Sequence, residues 1–458
     1  MASKFAKKPT NKPHTVRTYK YDLILNQIEK VGLQYVLQTC QRFYNAALEE
    51  RISAYKQYTE ELDKRGLYHY ESVQKTSKKV PKKSKKTPVQ ASPVELHEVK
   101  KIYDHTSPEA KELKKKYEVN YYTQAAALTL IRAEDQVINA LPRHMLNAVL
   151  YKLDLAFNAF FKRCKTGQTP GFPRFKGIHQ FKSFEFRHPL KIENSAGVSQ
   201  VHIPNLGWVR FNQYRPLRGV VKSVYFRLQQ SGKWTVNFSV DLGGTPEKIP
   251  LDLIPDNQIV GGDLGLNILL YLSNDEKIER VRFTKNSEKK LAKQQRKLSR
   301  KKKGSNGYKR QRALVAKTND RIANQRLDYL RKVAVYLVLH YKLIFLEDLN
   351  VKGMVQGLNY GKSIYDAAWS LLVSLVQFKA ESAGSWVVKV DPRDTSQDCS
   401  GCGKLVPKDL TVRIHSCPYC GLILDRDLNA AMNIRSRGLR ELGLSVSTTD
   451  EPRSACID

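Results

Sequence analysis

The chain has 458 residues, more than one ordinary hydrophobic core needs, so the sequence predicts between two and four domains. Its 78 Lys and Arg outnumber 44 Asp and Glu and give a net charge of +34, which favours a polyanionic partner. No apolar run approaches the roughly 18 residues of a membrane span, and no secretory signal opens the sequence. These properties exclude a membrane-spanning protein. They favour nucleic acid over anionic lipid, because we find no amphipathic anchor or lipidation motif.

The N-terminal part of the chain has mainly helical patterns. Residues 15–21 alternate in polarity and predict a short strand, and a helical spacing of apolar residues begins at Asn26. Residues 72–93 are rich in Lys, Ser and Pro and offer little to bury, which predicts a flexible basic loop. Helical spacing returns over 108–165, and Gly167 supplies the stop. We therefore expect a helical domain after the first strand.

A region of short strands follows, punctuated by Pro and Gly and extending to about residue 245, and it predicts a β-rich domain of which a barrel is one form. At its start, basic residues alternate with aromatic ones: Arg174, Lys176, Lys182 and Arg187 with Phe172, Phe175, Phe181, Phe184 and Phe186. Rings stack on bases and cations contact phosphates, so this pattern favours nucleic acid. For any single Phe, a place in the hydrophobic core is an equally good interpretation.

The third region mixes strands and helices, which predicts an α/β domain. Residues 259–272 resemble two strands joined at a Gly-rich corner, and a strongly apolar strand is expected at 343–351. A helix closed by Gly384 and a further strand follow it. Between the strands, residues 288–341 predict a long basic helical stretch with a break. The cations around this break are dense enough to favour contact with a phosphate backbone: Lys297, Arg300, Lys301, Lys302, Lys303, Lys309 and Arg310.

Four cysteines form two CxxC pairs with a metal-site spacing. Cys399 and Cys402 are followed, after fourteen residues, by Cys417 and Cys420. Each pair allows two sulfurs to approach one ion from a tight turn, and four thiolates leave no open position, which predicts a structural zinc ribbon. A redox dithiol or unmetallated thiols are the alternatives. We expect nearby His415 to be a surface residue outside the metal site.

Three acidic residues occupy comparable places in the predicted elements. Asp263 ends one apolar strand, Glu347 ends another, and Asp427 begins the last helix behind the capping residue Asp425. Carboxylates gathered at one edge of a sheet bind hard divalent cations such as Mg²⁺, and two such ions can support phosphodiester hydrolysis. Taken singly, the three acids are equally well explained as a turn residue, a salt-bridge partner and a helix cap.

Together these motifs resemble the TnpB family of transposon-encoded, RNA-guided DNA endonucleases, which is related to type V CRISPR effectors and Fanzor proteins. The resemblance rests on GDLG at 262–265, LEDLN at 346–350, the cysteine ribbon and DRDLNAA at 425–431, in that order. The segments at 43–51 and 159–177 look like the N-terminal part of the family. The likeness spans about nine-tenths of the chain. Gly262 departs from it, because many members have an aliphatic residue there.

The resemblance implies a multidomain α+β fold in which a wedge β-barrel is split by a helical recognition domain. An RNase H-like (RuvC) nuclease domain with an inserted zinc ribbon would follow. The implied segments are 1–24 for the first wedge strand, 25–167 for the recognition domain, 168–250 for the barrel, 251–394 and 423–440 for the nuclease domain, 395–422 for the ribbon, which would bind target nucleic acid, and 441–458 for a flexible tail.

The resemblance also implies a function. The protein would be a Mg²⁺-dependent DNA endonuclease of an insertion sequence, cutting DNA complementary to a guide RNA next to a short motif. Asp263, Glu347 and Asp427 would be the catalytic, magnesium-binding acids, and the four cysteines would hold structural zinc. Arg413 or Arg426 would touch the scissile strand. We expect one protein per guide RNA, a target DNA partner, no membrane and a prokaryotic cytoplasmic location.

Three other functions remain as alternatives. A small type V CRISPR effector would have the same motifs, and a neighbouring repeat–spacer array would distinguish it. An RNA-guided repressor that does not cleave is disfavoured, because inactivated relatives lose one or more acids and this chain has all three. A transposase that joins DNA ends is disfavoured too, because the sequence has no His pair with a downstream Tyr nucleophile.

Overall fold

The computed structural model describes residues 16–74, 97–195, 197–244, 246–351, 353–354, 367–409 and 412–444. Residues 1–15 of the predicted first segment, 75–93 of the predicted basic loop and 445–458 of the predicted tail lie outside the described residues. Within these ranges, no helix is both long and apolar enough to cross a membrane.

The described chain mixes strands and helices in more than one sheet, so the predicted mixed multidomain class is confirmed. The strands are β1 (Val16–Ile24), β2 (Tyr68–Gln74), β3 (His97–Tyr103), β4 (Ser183–Phe186), β5 (Ile192–Ser195), β6 (Val198–Ile203), β7 (Gly207–Phe211), β8 (Val220–Leu228), β9 (Trp234–Asp241), β10 (Ile259–Asp263), β11 (Ile268–Leu272), β12 (Lys277–Glu279), β13 (Leu343–Glu347), β14 (Trp386–Val390), β15 (Ile414–Ser416) and β16 (Ile423–Asp425). The helices are α1 (Gln27–Lys64), α2 (Pro108–Lys116), α3 (Tyr121–Glu134), α4 (Gln136–Asn139), α5 (Arg143–Lys165), α6 (Phe283–Ser299), α7 (Asn306–His340), α8 (Trp369–Ala383) and α9 (Arg426–Glu441).

The first sheet has the order β4-β8-β9-β1-β7-β6-β5. Strand β1 therefore lies in the middle of the sheet, although helices α1–α5 separate it from the other six strands along the chain. Helix α1 begins where the sequence predicts, because Asn26 and Glu29 form a reciprocal capping box with hydrogen bonds of 2.8 and 2.7 Å. Helix α5 ends before Gly167, whose φ of 66° is left-handed, as its predicted stop requires. Helices α1, α3, α4 and α5 share one hydrophobic core with this sheet, whereas α2 packs on the C-terminal end of α1 in a smaller cluster.

The aromatic residues that alternate with cations after α5 divide into two groups. Phe181, Phe184 and Phe186 are buried in the first core, where β4 joins the sheet. Phe172 and Phe175 precede the strand and are 48% and 52% exposed. Of these five phenylalanines, only Phe172 and Phe175 are exposed enough to stack on a ligand.

A strand pair that the sequence did not predict lies within the helical region. Strands β2 and β3 are antiparallel, with Tyr68 opposite Tyr103 and Gln74 opposite His97. Residues 72–74, predicted as the start of the basic loop, therefore belong to a strand, and that boundary was wrong. Local composition suggested a loop, whereas pairing with a segment more than twenty residues away stabilises a strand.

The second sheet positions the acidic residues. Its order is β12-β11-β10-β13-β14, with β10 antiparallel to β11 and parallel to β13, which is parallel to β14. Alternate side chains of β13 point to opposite faces: Ile344 and Leu346 pack with α7 and α8, whereas Leu343 and Phe345 pack with α9. The sheet is thus buried between helices on both sides.

Two glycines allow α9 to approach this sheet closely. A Cβ atom on Gly261 of β10 would lie 2.3 Å from the carbonyl oxygen of Ala431, and one on Gly438 of α9 would lie 2.0 Å from the Phe345 ring. Both distances are far below van der Waals contact, so no larger residue fits without moving the helix. This contact fixes the N-terminus of α9 beside the sheet edge.

Candidate active site and metal centre

The four cysteines are brought together as predicted. The Sγ atoms of Cys399 and Cys420 are 3.6 Å apart, as are those of Cys402 and Cys417, and all four lie within 4.8 Å of one another. These distances approach the edge of about 3.8 Å for four sulfurs placed roughly 2.3 Å from a zinc ion. They are much longer than the roughly 2.05 Å of a disulfide. The cluster fits a metal ion such as zinc, held beside the short β15–β16 pair.

His415 was predicted as a surface residue, and this prediction was wrong. Its side chain is fully buried, between the exposed residues Ile414 and Ser416 of β15, because alternate residues of the strand face the inside of the ribbon. Its Nδ1 contacts the Nζ of Lys408, and its Nε2 has no hydrogen-bond partner among the described residues. Burial, reinforced by the Lys408 charge, lowers the pKa of His415.

Two of the predicted acids meet at the carboxyl ends of parallel strands. Gly262 of β10 is in register with Leu346 of β13, so Asp263 and Glu347 follow side by side at the ends of their strands. Burial raises the pKa of Asp263 well above its usual range, with the Glu347 carboxylate as the next cause. Burial also raises the pKa of Glu347, against the hydrogen bond from Thr395.

The third acid lies at the start of α9. Asp425 caps this helix, with its Oδ1 accepting a 2.8 Å hydrogen bond from the Asp427 amide, as the sequence predicts. Burial and then the Asp425 charge raise the pKa of Asp427, whereas Arg413 and Arg426 lower it. The Asp427 charge also contributes to the raised pKa of Asp263, which places the third acid near the other two.

The two arginines beside Asp427 differ in their contacts. Arg426 directs its guanidinium to the ribbon, with Nη1 donating to the Asp409 carbonyl at 3.2 Å and Nη2 to Ser396 Oγ at 3.3 Å. Arg413 has its Nη1 3.8 Å from Asp427 Oδ1 and its side chain is 55% exposed. Arg413 is therefore the better placed of the two to meet a ligand at the acids.

The arrangement of the acids suits a hard divalent cation. Glu347 is buried and Asp263 beside it is half-buried, and two like charges placed side by side in this way cost free energy unless a proton or a cation lies between them. Carboxylate oxygens are the ligands that Mg²⁺ prefers. With Asp427 nearby, the sheet edge offers the donor set for metal-assisted hydrolysis.

Several buried polar residues around the site were not predicted. Thr395 donates from Oγ1 to Glu347 Oε1 at 2.9 Å. Asn429, Asn433 and Arg437 contact the chain between β14 and the ribbon from one face of α9. Their four-residue spacing was a signal in the sequence, because polar residues repeated on one face of a helix against a sheet need buried partners.

The predicted nucleic-acid contacts are spread over two surfaces. Arg174 is exposed, whereas Lys176 is half-buried, with its amide donating to Asn45 Oδ1 at 2.8 Å. The other seven cations are exposed around the turn between α6 and α7, where Gly304 has a φ of 87°. We call this second group the basic turn: Lys297, Arg300, Lys301, Lys302, Lys303, Lys309 and Arg310.

The chain matches two family models. Residues 247–357 match the OrfB_IS605 model, described as "Probable transposase", and residues 369–434 match the model "Cas12f1-like, TNB domain". The first of these ranges contains Asp263 and Glu347, and the second contains the four cysteines and Asp427.

Two curated proteins are similar to this chain over most of their length. "Putative RNA-guided DNA endonuclease InsQ" of Escherichia coli (strain K12) is 31% identical over 323 residues, covering 67% of this chain and 77% of that protein. "Putative RNA-guided DNA endonuclease" of Streptomyces pristinaespiralis is 30% identical over 330 residues, covering 70% and 78%. Among solved structures, the Cas12f1–sgRNA–target DNA complex aligns with a TM-score of 0.51 at 14% identity over 90% of this chain and 83% of that one, which shows a shared fold.

Proposed function

Because this chain belongs to the TnpB family, we propose that it is an RNA-guided DNA endonuclease of an insertion sequence. Both curated relatives carry the name RNA-guided DNA endonuclease, and the net charge of +34 suits guide RNA and target DNA as partners. The observation that carries the proposal is half-buried Asp263 next to buried Glu347 at one sheet edge, with Asp427 beside them at the start of α9.

The catalytic domain would be of the RNase H-like (RuvC) type. The second sheet supports this assignment, because three antiparallel strands are extended by two parallel ones and the acids lie at the carboxyl ends of β10 and β13. Asp263, Glu347 and Asp427 would hold magnesium, which supplies water activation and stabilisation of the leaving oxygen in a two-ion mechanism. Glu347 itself is buried and accepts a 2.9 Å hydrogen bond from Thr395 Oγ1.

The remaining domains would serve guide and target binding. The first sheet would be the wedge barrel of residues 1–24 and 168–250, and helices α1–α5 would form the recognition domain inserted into it. The ribbon, with structural zinc on its four cysteines, would bind target nucleic acid beside the acids, since the matching model is described as a TNB domain. The basic turn would contact phosphates, with one protein bound per guide RNA.

Guide-directed cleavage tests this function directly. RNA that co-purifies with the protein from its native locus is sequenced, and the matching DNA target is offered with Mg²⁺. We expect a discrete RNA that extends into flanking DNA, cleavage by the natural protein and binding without cleavage by Asp263→Ala. The control Asp328→Ala removes an exposed acid that is paired only with Lys332 on α7 and should cleave normally. Heterogeneous RNA, or cleavage by Asp263→Ala at the natural rate, contradicts the proposal.

A non-cleaving RNA-guided repressor is the main alternative of another class. The adjacent acids Asp263 and Glu347 disfavour it, because a protein that only binds DNA has no need to place two like charges side by side away from water. A small type V CRISPR effector would share the whole site. The source of the guide, a repeat–spacer array or the end of the mobile element, separates that function from ours.

A further inference from the structure

Helix α9 carries a row of polar residues on the face that meets the root of the ribbon. Asn429 is fully buried, Asn433 is 7% exposed, and Arg437 follows at the same four-residue interval. The three side chains are in line because residues four apart lie on one helix face. None of them touches Asp263 or Glu347 by a hydrogen bond that the structure shows, so the proposed chemistry does not by itself explain them.

This row holds the segment that leads from β14 into the cysteine cluster. Asn433 Nδ2 donates to the Thr395 carbonyl at 2.9 Å and to the Asp398 carbonyl at 2.7 Å. Asn429 Nδ2 donates to the same Asp398 carbonyl at 2.7 Å, and its Oδ1 accepts from the Ser400 amide at 2.9 Å. The segment thus forms four hydrogen bonds to α9 directly before and within the first CxxC turn.

The same segment reaches back to the acid pair. The Thr395 side chain is 3% exposed, and its Oγ1 lies 2.9 Å from Glu347 Oε1 and 3.1 Å from the Pro392 carbonyl. A hydroxyl has one proton, and an ionised carboxylate is the stronger acceptor. When Glu347 is ionised, the proton therefore points to it and fixes one of its oxygens.

We propose that Thr395 is a positioning residue for Glu347, and that Asn433 acts on the divalent-metal site through Thr395. The chain of contacts runs from α9 through Asn433 to Thr395 and then to Glu347, so the helix that carries Asp427 also orients the Glu347 carboxylate. This inference rests on the proposed function, in which Glu347 is a metal ligand. Hydrogen-bond partners of metal ligands affect metal affinity by roughly 10–100-fold.

The test measures metal binding as well as cleavage. The zinc-loaded full-length protein is titrated with Mn²⁺, and free Mn²⁺ is followed by electron paramagnetic resonance, with Asp263→Ala defining the signal of the acid site. Thr395→Val keeps the shape and removes the donor. We expect it to raise the half-saturating Mn²⁺ concentration about 10-fold or more, whereas Thr395→Ser restores the natural value to within about threefold. Mn²⁺ affinity in Thr395→Val equal to that of the natural protein overturns the inference.

A double-mutant cycle separates positioning from a general loss of structure. Asn433→Ser should weaken Mn²⁺ binding by itself but add no further loss in the Thr395→Val background, because both changes interrupt one chain of contacts. Additive losses contradict a route through Thr395. Zinc content and thermal unfolding of each variant verify that the ribbon is intact. If the natural protein binds Mn²⁺ at the acids but never cleaves guided DNA, the proposed function fails while the positioning of Glu347 stands.

Discussion

The two candidate metal centres differ in how the chain assembles them. The cysteine cluster comes from two short turns about fifteen residues apart, and its four sulfurs already lie within 4.8 Å of one another. The acids come from two strands and a helix that are distant in sequence, and Asp263 and Glu347 lie side by side at adjacent strand ends. This contrast agrees with the proposed roles. A structural metal site has all its ligands from the protein, whereas a catalytic one leaves a ligand position for water or substrate.

We expect cleavage to fall most when a charge is removed from the acid pair. Glu347→Gln keeps the size of the side chain but loses a hard, charged ligand. We therefore expect guided cleavage to fall about 10³-fold, the upper end of the effect of removing one group that stabilises a transition state. Binding of guide and target should persist. Single-turnover rates at saturating Mg²⁺ measure the effect.

A matched control and a stability measurement test whether the loss of cleavage comes from the site itself. Glu60→Gln alters an exposed acid on α1 and should cleave normally. Glu347→Gln should also leave the thermal stability of the Mg²⁺-free protein unchanged or raised, because the natural pair buries two like charges. A clear drop in melting temperature contradicts the catalytic assignment and favours a structural one.

Substitution of a cysteine should destabilise its centre, in contrast to Glu347→Gln. Cys417→Ser removes one of four thiolates, so we expect the bound zinc to be lost, the ribbon to unfold locally and cleavage to fall roughly 10–100-fold through the weakened surroundings of the acids. Zinc content by mass spectrometry and cleavage rate measure both parts. Cys164→Ser is the matched control, because Cys164 is an exposed free thiol on α5. Full cleavage by a zinc-free Cys417→Ser protein removes the link between the two centres.

The contrast between the centres also explains which features the sequence could predict. The CxxC spacing is a local signal, and the strand ends at Asp263 and Glu347 follow from apolar runs that stop at an acid. The burial of His415 depends on how the ribbon folds over itself, and the β2–β3 pair depends on partners far apart in the chain. The periodicity of a single segment gives no information about such contacts.

The residues that connect the two centres were the hardest to predict. Asn429 appeared only within the DRDLNAA motif, and Thr395 only as the first position of the ribbon segment 395–422. Their roles come from the register of α9 against the ribbon root, which is set by the close approach of Gly261 and Gly438. Local patterns indicate which elements form, whereas these side-chain partners are determined by packing between elements.

A smaller effect is expected from pH, and the acid pair contributes to it. Burial raises the folded-state pKa of both Asp263 and Glu347. The folded protein therefore retains protons that the unfolded chain has released, and the stability of the Mg²⁺-free protein should fall as pH rises from the ordinary carboxyl pKa through the raised values. Divalent ions displace these protons, so Mg²⁺ affinity should rise over the same window, by at most about tenfold per pH unit for each proton.

Melting temperatures and Mn²⁺ titrations between about pH 5 and 8 test both directions. In Asp263→Asn the pair holds one titrating group instead of two, so the pH dependence of stability should be weaker than in the natural protein. Stability that increases with pH over this range, and equally in both proteins, contradicts the raised pKa values.

We expect the smallest effect on Mg²⁺ affinity at the third acid, Asp427, whose neighbour Arg413 is exposed to solvent. Arg413 lies 3.8 Å from Asp427 and is more than half exposed, so water screens the pair and its contribution is about 0.2–1 kcal/mol. Arg413→Gln removes a charge that lowers the pKa of Asp427, and we expect Mg²⁺ affinity to change by less than about fivefold. If cleavage of bound DNA instead falls 100-fold while Mg²⁺ affinity is unchanged, Arg413 contacts the scissile strand and not only Asp427. Comparing the loss of cleavage with the change in Mg²⁺ affinity therefore decides whether Arg413 acts on Asp427 or on the bound DNA.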